Sequence, residues 1–123
     1  MYGKKVWLFP DGERPPVGEF ELIGHESYVV LNPNDRDAHL SFTVYFEKKP
    51  PIENINVEVA AQRVSCFRTH DPDQFGGITL PVGQQYALKI ESDVPVVIQY
   101  GRLDTRQQNM AFYTTMGYPC AES

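Results

Sequence analysis

From Ala38 to Glu47 apolar and polar side chains alternate without a break. Ala38, Leu40, Phe42, Val44 and Phe46 fall on one side, and His39, Ser41, Thr43, Tyr45 and Glu47 on the other. A period of two belongs to a strand with one buried face. Ile55, Val57, Val59 and Ala61 repeat the pattern, as do Tyr86, Leu88 and Ile90. Val94 to Tyr100 is apolar on both faces, which predicts a central strand; Pro95, with no amide donor, is expected at its start or on an unpaired side. Pro10-Asp11-Gly12, Pro15-Pro16, Asn32-Pro33-Asn34-Asp35, Lys49-Pro50-Pro51, Asp71-Pro72-Asp73 and Gly76-Gly77 read as turns. The strands expected are 4–9, 20–31 with a break at Gly24, 38–47, 53–60, 62–68, 84–91, 94–103 and 110–117. Helical periodicity is nowhere sustained; Thr105 to Asn109 has room for one turn. Many short strands with turns between them imply an antiparallel sandwich or barrel.

Composition points the same way. Leu, Ile, Val and Phe number 7, 6, 12 and 7 among 123 residues, enough for a core. Val and Ile outnumber Leu by 18 to 7, and β-branched and aromatic residues suit a pleated, half-buried surface. No repeat or linker argues for a second domain. The net charge of −5 disfavours broad binding to a phosphate backbone, so nucleic acid is not the expected partner. No apolar run approaches a membrane helix, and the N-terminus lacks the pattern of a signal peptide. Cys66 and Cys120 match no zinc or redox spacing and are expected as reduced thiols of a cytoplasmic protein.

The residues able to carry chemistry are few. His25-Glu26 is the most enzyme-like dipeptide, but neighbours on a strand point to opposite faces. Either a bulge at Gly24 makes them converge, or they serve separate roles, with Glu26 partnering some arginine. His25, His39 and His70 lack metal-ligand spacing, so no metal and no cofactor is expected. There is no nucleophile elbow, phosphate loop or dinucleotide fingerprint. Arg102 and Asp104 are two apart and share a face; an arginine fork suits carboxylates, phosphates or sugar hydroxyls. Charges at the end of a buried strand need partners, so these two are expected to pair with each other or with Glu26. Gln99 falls on the opposite face unless Gly101 marks a bulge. Arg63 and Arg68, five apart, face opposite ways on a regular strand. Trp7 is expected to pack in the core.

Taken in order, several segments resemble one family, the Anabaena-type sensory rhodopsin transducers. They are His25-Glu26, Val30-Leu31-Asn32 with Asp35-x-Asp37-Ala38-His39, and Thr43-Val44-Tyr45. Val59-Ala60-Ala61-Gln62-Arg63 with Phe67-Arg68, Ser92 to Gln99, and Arg102-Leu103-Asp104-Thr105-Arg106-Gln107 follow. The resemblance spans about residues 7 to 118. It implies an all-β fold: one single-domain antiparallel β-sandwich, jelly-roll-like, over residues 1–123. It also implies a homotetramer that works in the cytoplasm without catalysis. The family takes its name from a member that couples to a membrane photoreceptor; relatives resemble small-molecule-binding domains for sugars or related metabolites, and a transcriptional role has been attached to the family. The chain departs from the family pattern at Cys66 and at Tyr100-Gly101, where that pattern carries histidines.

Two functions of different class follow. In one, a pocket of strand-borne polar groups holds a small metabolite, with His25, Glu26, Gln99, Arg102 and Asp104 lining it and Arg63 or Arg68 supplying positive charge. In the other, the chain is a tetrameric adaptor for a photoreceptor or a transcription-related protein, and needs no ligand. A third reading, a hydrolase or isomerase, would use Glu26 or Asp104 as general base.

Overall fold

A computed structural model describes residues 1–18, 23–107 and 109–120. The described residues form eight strands: β1 (Lys4–Glu13), β2 (His25–Asn32), β3 (Ala38–Phe46), β4 (Ile52–Val59), β5 (Arg63–Arg68), β6 (Gln85–Asp104), β7 (Ala111–Met116) and β8 (Tyr118–Cys120). The ladders between these strands are all antiparallel. The first layer runs β4-β3-β6-β1-β8, and the second β5-β2-β6-β7. The fold is an all-β sandwich with both layers sharing β6. There is no helix among the described residues.

β6 is 20 residues long and changes layers midway. Its first half pairs with β3 from Tyr86 to Ser92, and its second half pairs with β2 from Val97 to Leu103. Pro95 lies at that handover, between the two registers, where a missing amide donor costs no ladder bond. Beside it the Ser92 hydroxyl donates to the Val94 carbonyl at 2.6 Å. The expected break between two strands is therefore a change of partner within one continuous strand. The Pro95 carbonyl in turn accepts from the Asn34 side chain at 2.7 Å.

Other boundaries moved for local reasons. β1 continues through Pro10-Asp11-Gly12, expected as a turn, because a register shift between Phe9 and Gly12 absorbs the irregularity. Gly12 is required there: the Tyr86 ring occupies the space its Cβ would fill. β2 begins at His25, and residues 20–22 of the expected strand lie outside the described residues. The described part of Thr105–Asn109 forms a non-helical turn, closed by the Met110 amide on the Gln107 carbonyl at 3.0 Å. β8, three residues containing a proline, is too short to show periodicity.

The core lies between the layers. Leu40, Phe42 and Val44 of β3 face it, together with Leu88 and Ile90 of β6 and with Tyr28 and Val30 of β2. Phe42 meets Phe67 edge-on at 5.8 Å and Phe75 at 5.3 Å. Trp7 is buried as expected, and its indole nitrogen donates to the carbonyls of Lys4 and Val96. Phe42 has no exposed surface. Phe42→Ala should therefore cost about 3–5 kcal/mol in urea unfolding; a loss under about 1 kcal/mol would contradict its place in the core.

Candidate functional site

Alternation and register place the seven candidate residues on different surfaces. β2 pairs with β6 without a bulge, so Glu26 points inward while His25 points outward. Gly24 does not bring the dipeptide together. Gln99 lies on the outer face, and Arg102, opposite Glu26, on the inner one, so Gly101 causes no phase reversal. Arg63 and Arg68 occupy opposite ends of β5, next to Asn32 and Ser27 respectively. Arg63 donates to the carbonyl of Gln62 at 3.0 Å.

Glu26 is fully buried, and its partners are hydroxyls, not an arginine. Its Oε1 accepts from Thr69 Oγ1 at 2.7 Å and from the Tyr86 hydroxyl at 2.6 Å; Oε2 accepts from the Tyr100 hydroxyl at 2.6 Å. Tyr86 has one proton to give and gives it to Glu26, so the 3.0 Å contact between the Tyr28 and Tyr86 hydroxyls is donated by Tyr28. Burial, reinforced by the neighbouring Glu26 charge, holds the Tyr28 and Tyr100 hydroxyls far above their ordinary pKa, and Tyr86 is raised by burial, Tyr28 and Glu26. These are fixed donors at any physiological pH. The hydroxyl ring escaped sequence reasoning because Tyr86 and Tyr100 are 60 and 74 residues from Glu26 and read individually as core aromatics.

Arg102 and Asp104 do come together at the end of β6. Arg102 Nη1 donates to the Glu13 carbonyl at 2.9 Å, and Nη2 lies 3.6 Å from Asp104 Oδ2. The closer partner of Asp104 is Arg106, whose Nε donates to both carboxylate oxygens at 3.0 and 2.9 Å. That residue follows the strand, where a period of two no longer reports who meets whom. A cavity of about 520 Å³ opens beside the cluster, lined by Asp104, Arg106, Gln107, Asn109, Met110 and Ala111. A second cleft of about 410 Å³ lies between β1 and β7, walled by Phe9, Tyr100, Met116 and Tyr118, with Asp11 among its lining residues. Among the described residues, no three His, Cys, Asp or Glu side chains converge as a metal site would require.

The outer face of the second layer is apolar for much of its extent. Register aligns Val64 with Leu31 and Val97, and Cys66 with Val29, Gln99 and Met116. β7 is exposed along its whole length, with Phe112 at 68% and Tyr118 just beyond it at 67%.

A family model described as Anabaena sensory rhodopsin transducer matches residues 2–119. The chain belongs to that family. It is similar over its whole length to the crystal structure of Thermotoga maritima 1070, with 33% identity, all of both chains covered and a TM-score of 0.86. It is also similar to the Anabaena sensory rhodopsin transducer at 31% identity and a TM-score of 0.71, covering 80% of this chain and 94% of that one. No curated protein matches the chain. No helix among the described residues of this transducer-family chain is long and apolar enough to cross a membrane.

Three variants test this geometry. Tyr100→Phe removes one donor from Glu26 and should cost about 1–3 kcal/mol. Glu26→Ala strands several hydroxyls and should cost more; a smaller loss in urea unfolding would remove Glu26 from its central role. The Arg106 hydrogen bonds hold Asp104 down at about 2, against an ordinary 3.8. Its stabilisation is thus complete above about pH 4 and lost as pH falls through about 2. Arg106→Ala should return Asp104 toward the ordinary value in a carboxyl NMR titration.

Proposed function

We propose that this family member is a non-enzymatic, cytoplasmic signal-transducing domain that binds a small metabolite at the Arg102–Asp104 corner and acts as a homotetramer. The observation carrying this reading is that corner itself: Asp104 and Arg106 line an open cavity, and Arg102 lies 3.6 Å from the Asp104 carboxylate. Sites of this kind need few polar groups on a firm scaffold. A sugar or similar polyhydroxylated metabolite suits it, because Arg106 and Arg102 donate and Asp104 accepts.

General-base catalysis is disfavoured at both carboxylates. Glu26 is sealed from solvent and occupied by three hydroxyls. Asp104 is held by Arg106 and has little basicity. Self-association is supported by the apolar outer face of the second layer, since contiguous exposed apolar surface marks interaction sites. The second reading, an adaptor, draws on the same surface: the aromatic β7 edge and Tyr118 suit a protein partner. The solved relative named as a sensory rhodopsin transducer points to a membrane photoreceptor as that partner.

Calorimetry of sugars and related metabolites against wild type and Arg102→Lys tests the binding reading. Lysine keeps the charge but loses the fork, so a binding sugar should weaken about tenfold or more; equal affinities would remove Arg102 from the site. Sedimentation of the same samples at micromolar concentration should show one species well above the 14.0 kDa chain. A monomer would overturn the assembly.

A further inference from the structure

On a chain with a net charge of −5, one corner gathers positive groups. Arg68 ends β5 opposite Ser27 of β2, and the next amide, that of Thr69, donates to the Glu26 carbonyl at 3.4 Å. That continuation of the ladder carries His70 alongside His25, with ring centroids 6.1 Å apart. His25 Nδ1 lies 3.0 Å from the Ile23 carbonyl, an acceptor, so Nδ1 carries the hydrogen and Nε2 is the nitrogen left for a ligand. His70 Nδ1 is out of water and has no hydrogen-bond partner among the described residues. The Arg68 guanidinium makes no ion pair among them either. Arg14, following β1, is fixed nearby on the Leu80 carbonyl at 2.7 Å.

We infer that His25, His70 and Arg68 form a receptor for the oxyanion group, phosphate or carboxylate, of a small metabolite. The corner is separate from the Arg102–Asp104 pair and the cavity beside it, because His25 and Arg102 lie on opposite faces of the second layer. Arginine supplies a fork and each imidazole one donor, which is the donor set an oxyanion needs.

The charged groups facing His70 come from four segments: His25 of β2, Arg14 after β1, Arg68 of β5 and Asp71 of the following loop. Burial, then His25, Arg14 and Arg68, hold His70 below its usual range; Asp71 alone opposes them. An arriving anion reverses that balance and favours the protonated imidazole. Binding therefore takes up protons and strengthens as pH falls from neutral toward the histidine range.

Histidine ring NMR near neutral pH tests this on the assembled protein. Sodium phosphate and sodium succinate are titrated separately, each against sodium chloride at equal ionic strength. The His25 and His70 signals should move saturably with one anion or both, and the two arms separate phosphate from carboxylate recognition. His39, bonded to Asp93 on the other layer, should not follow. Arg68→Gln, at an exposed position, should weaken the response about tenfold or more. His25→Asn should weaken it as well, while Arg102→Lys should leave it intact. Shifts that match the chloride control, or an affinity unchanged in both Arg68→Gln and His25→Asn, would overturn the inference.

Discussion

One buried carboxylate ties the sandwich together. Glu26 sits on β2 in the second layer, yet its hydroxyl donors come from both halves of β6: Tyr86 from the part paired with β3 and Tyr100 from the part paired with β2. Thr69, just past β5, supplies a third. Removing a carboxylate from water is costly unless its lone pairs are occupied, so the group is stable only when all these segments are in place. The interaction is thus conditional on the tertiary fold and in return specifies it. A sandwich with β6 slipped by one residue would turn the tyrosines outward and leave Glu26 buried with Thr69 as its one remaining hydroxyl donor.

The same network shapes the surface features. The Tyr100 ring is held from below by Glu26 and forms part of the wall of the β1–β7 cleft. Two residues further along the same face of β6, Arg102 makes no bond to Glu26, whose side-chain partners are three hydroxyls. It reaches instead to the Glu13 carbonyl and toward Asp104.

Family membership and local geometry bear on function in different ways. The match over residues 2–119 brings the transducer fold, whereas the chemistry of the surface depends on side chains particular to this chain. Cys66 is an example. It stands on the exposed, apolar side of β5 in register with Val29. The exposed side of the second layer is apolar there, and His25 and His70 gather at its far end.

Periodicity by itself determined the all-β class, the inward face of β3 and the opposition of His25 to Glu26, because alternation on a strand is a local property of the backbone. It also determined that Arg102 and Asp104 share a face. The breaker residues near Pro95 marked a change in the chain but not its kind: a proline signals a missing donor, and only the pairing of β6 with two different layers decides that the strand continues. Partnership was the other thing reserved to tertiary structure. Nothing near Glu26 in sequence names Tyr86, Tyr100 or Thr69, and nothing near His25 names His70. Hydrogen bonds and charge act through space over a few ångströms, and the fold chooses which distant residues occupy that space.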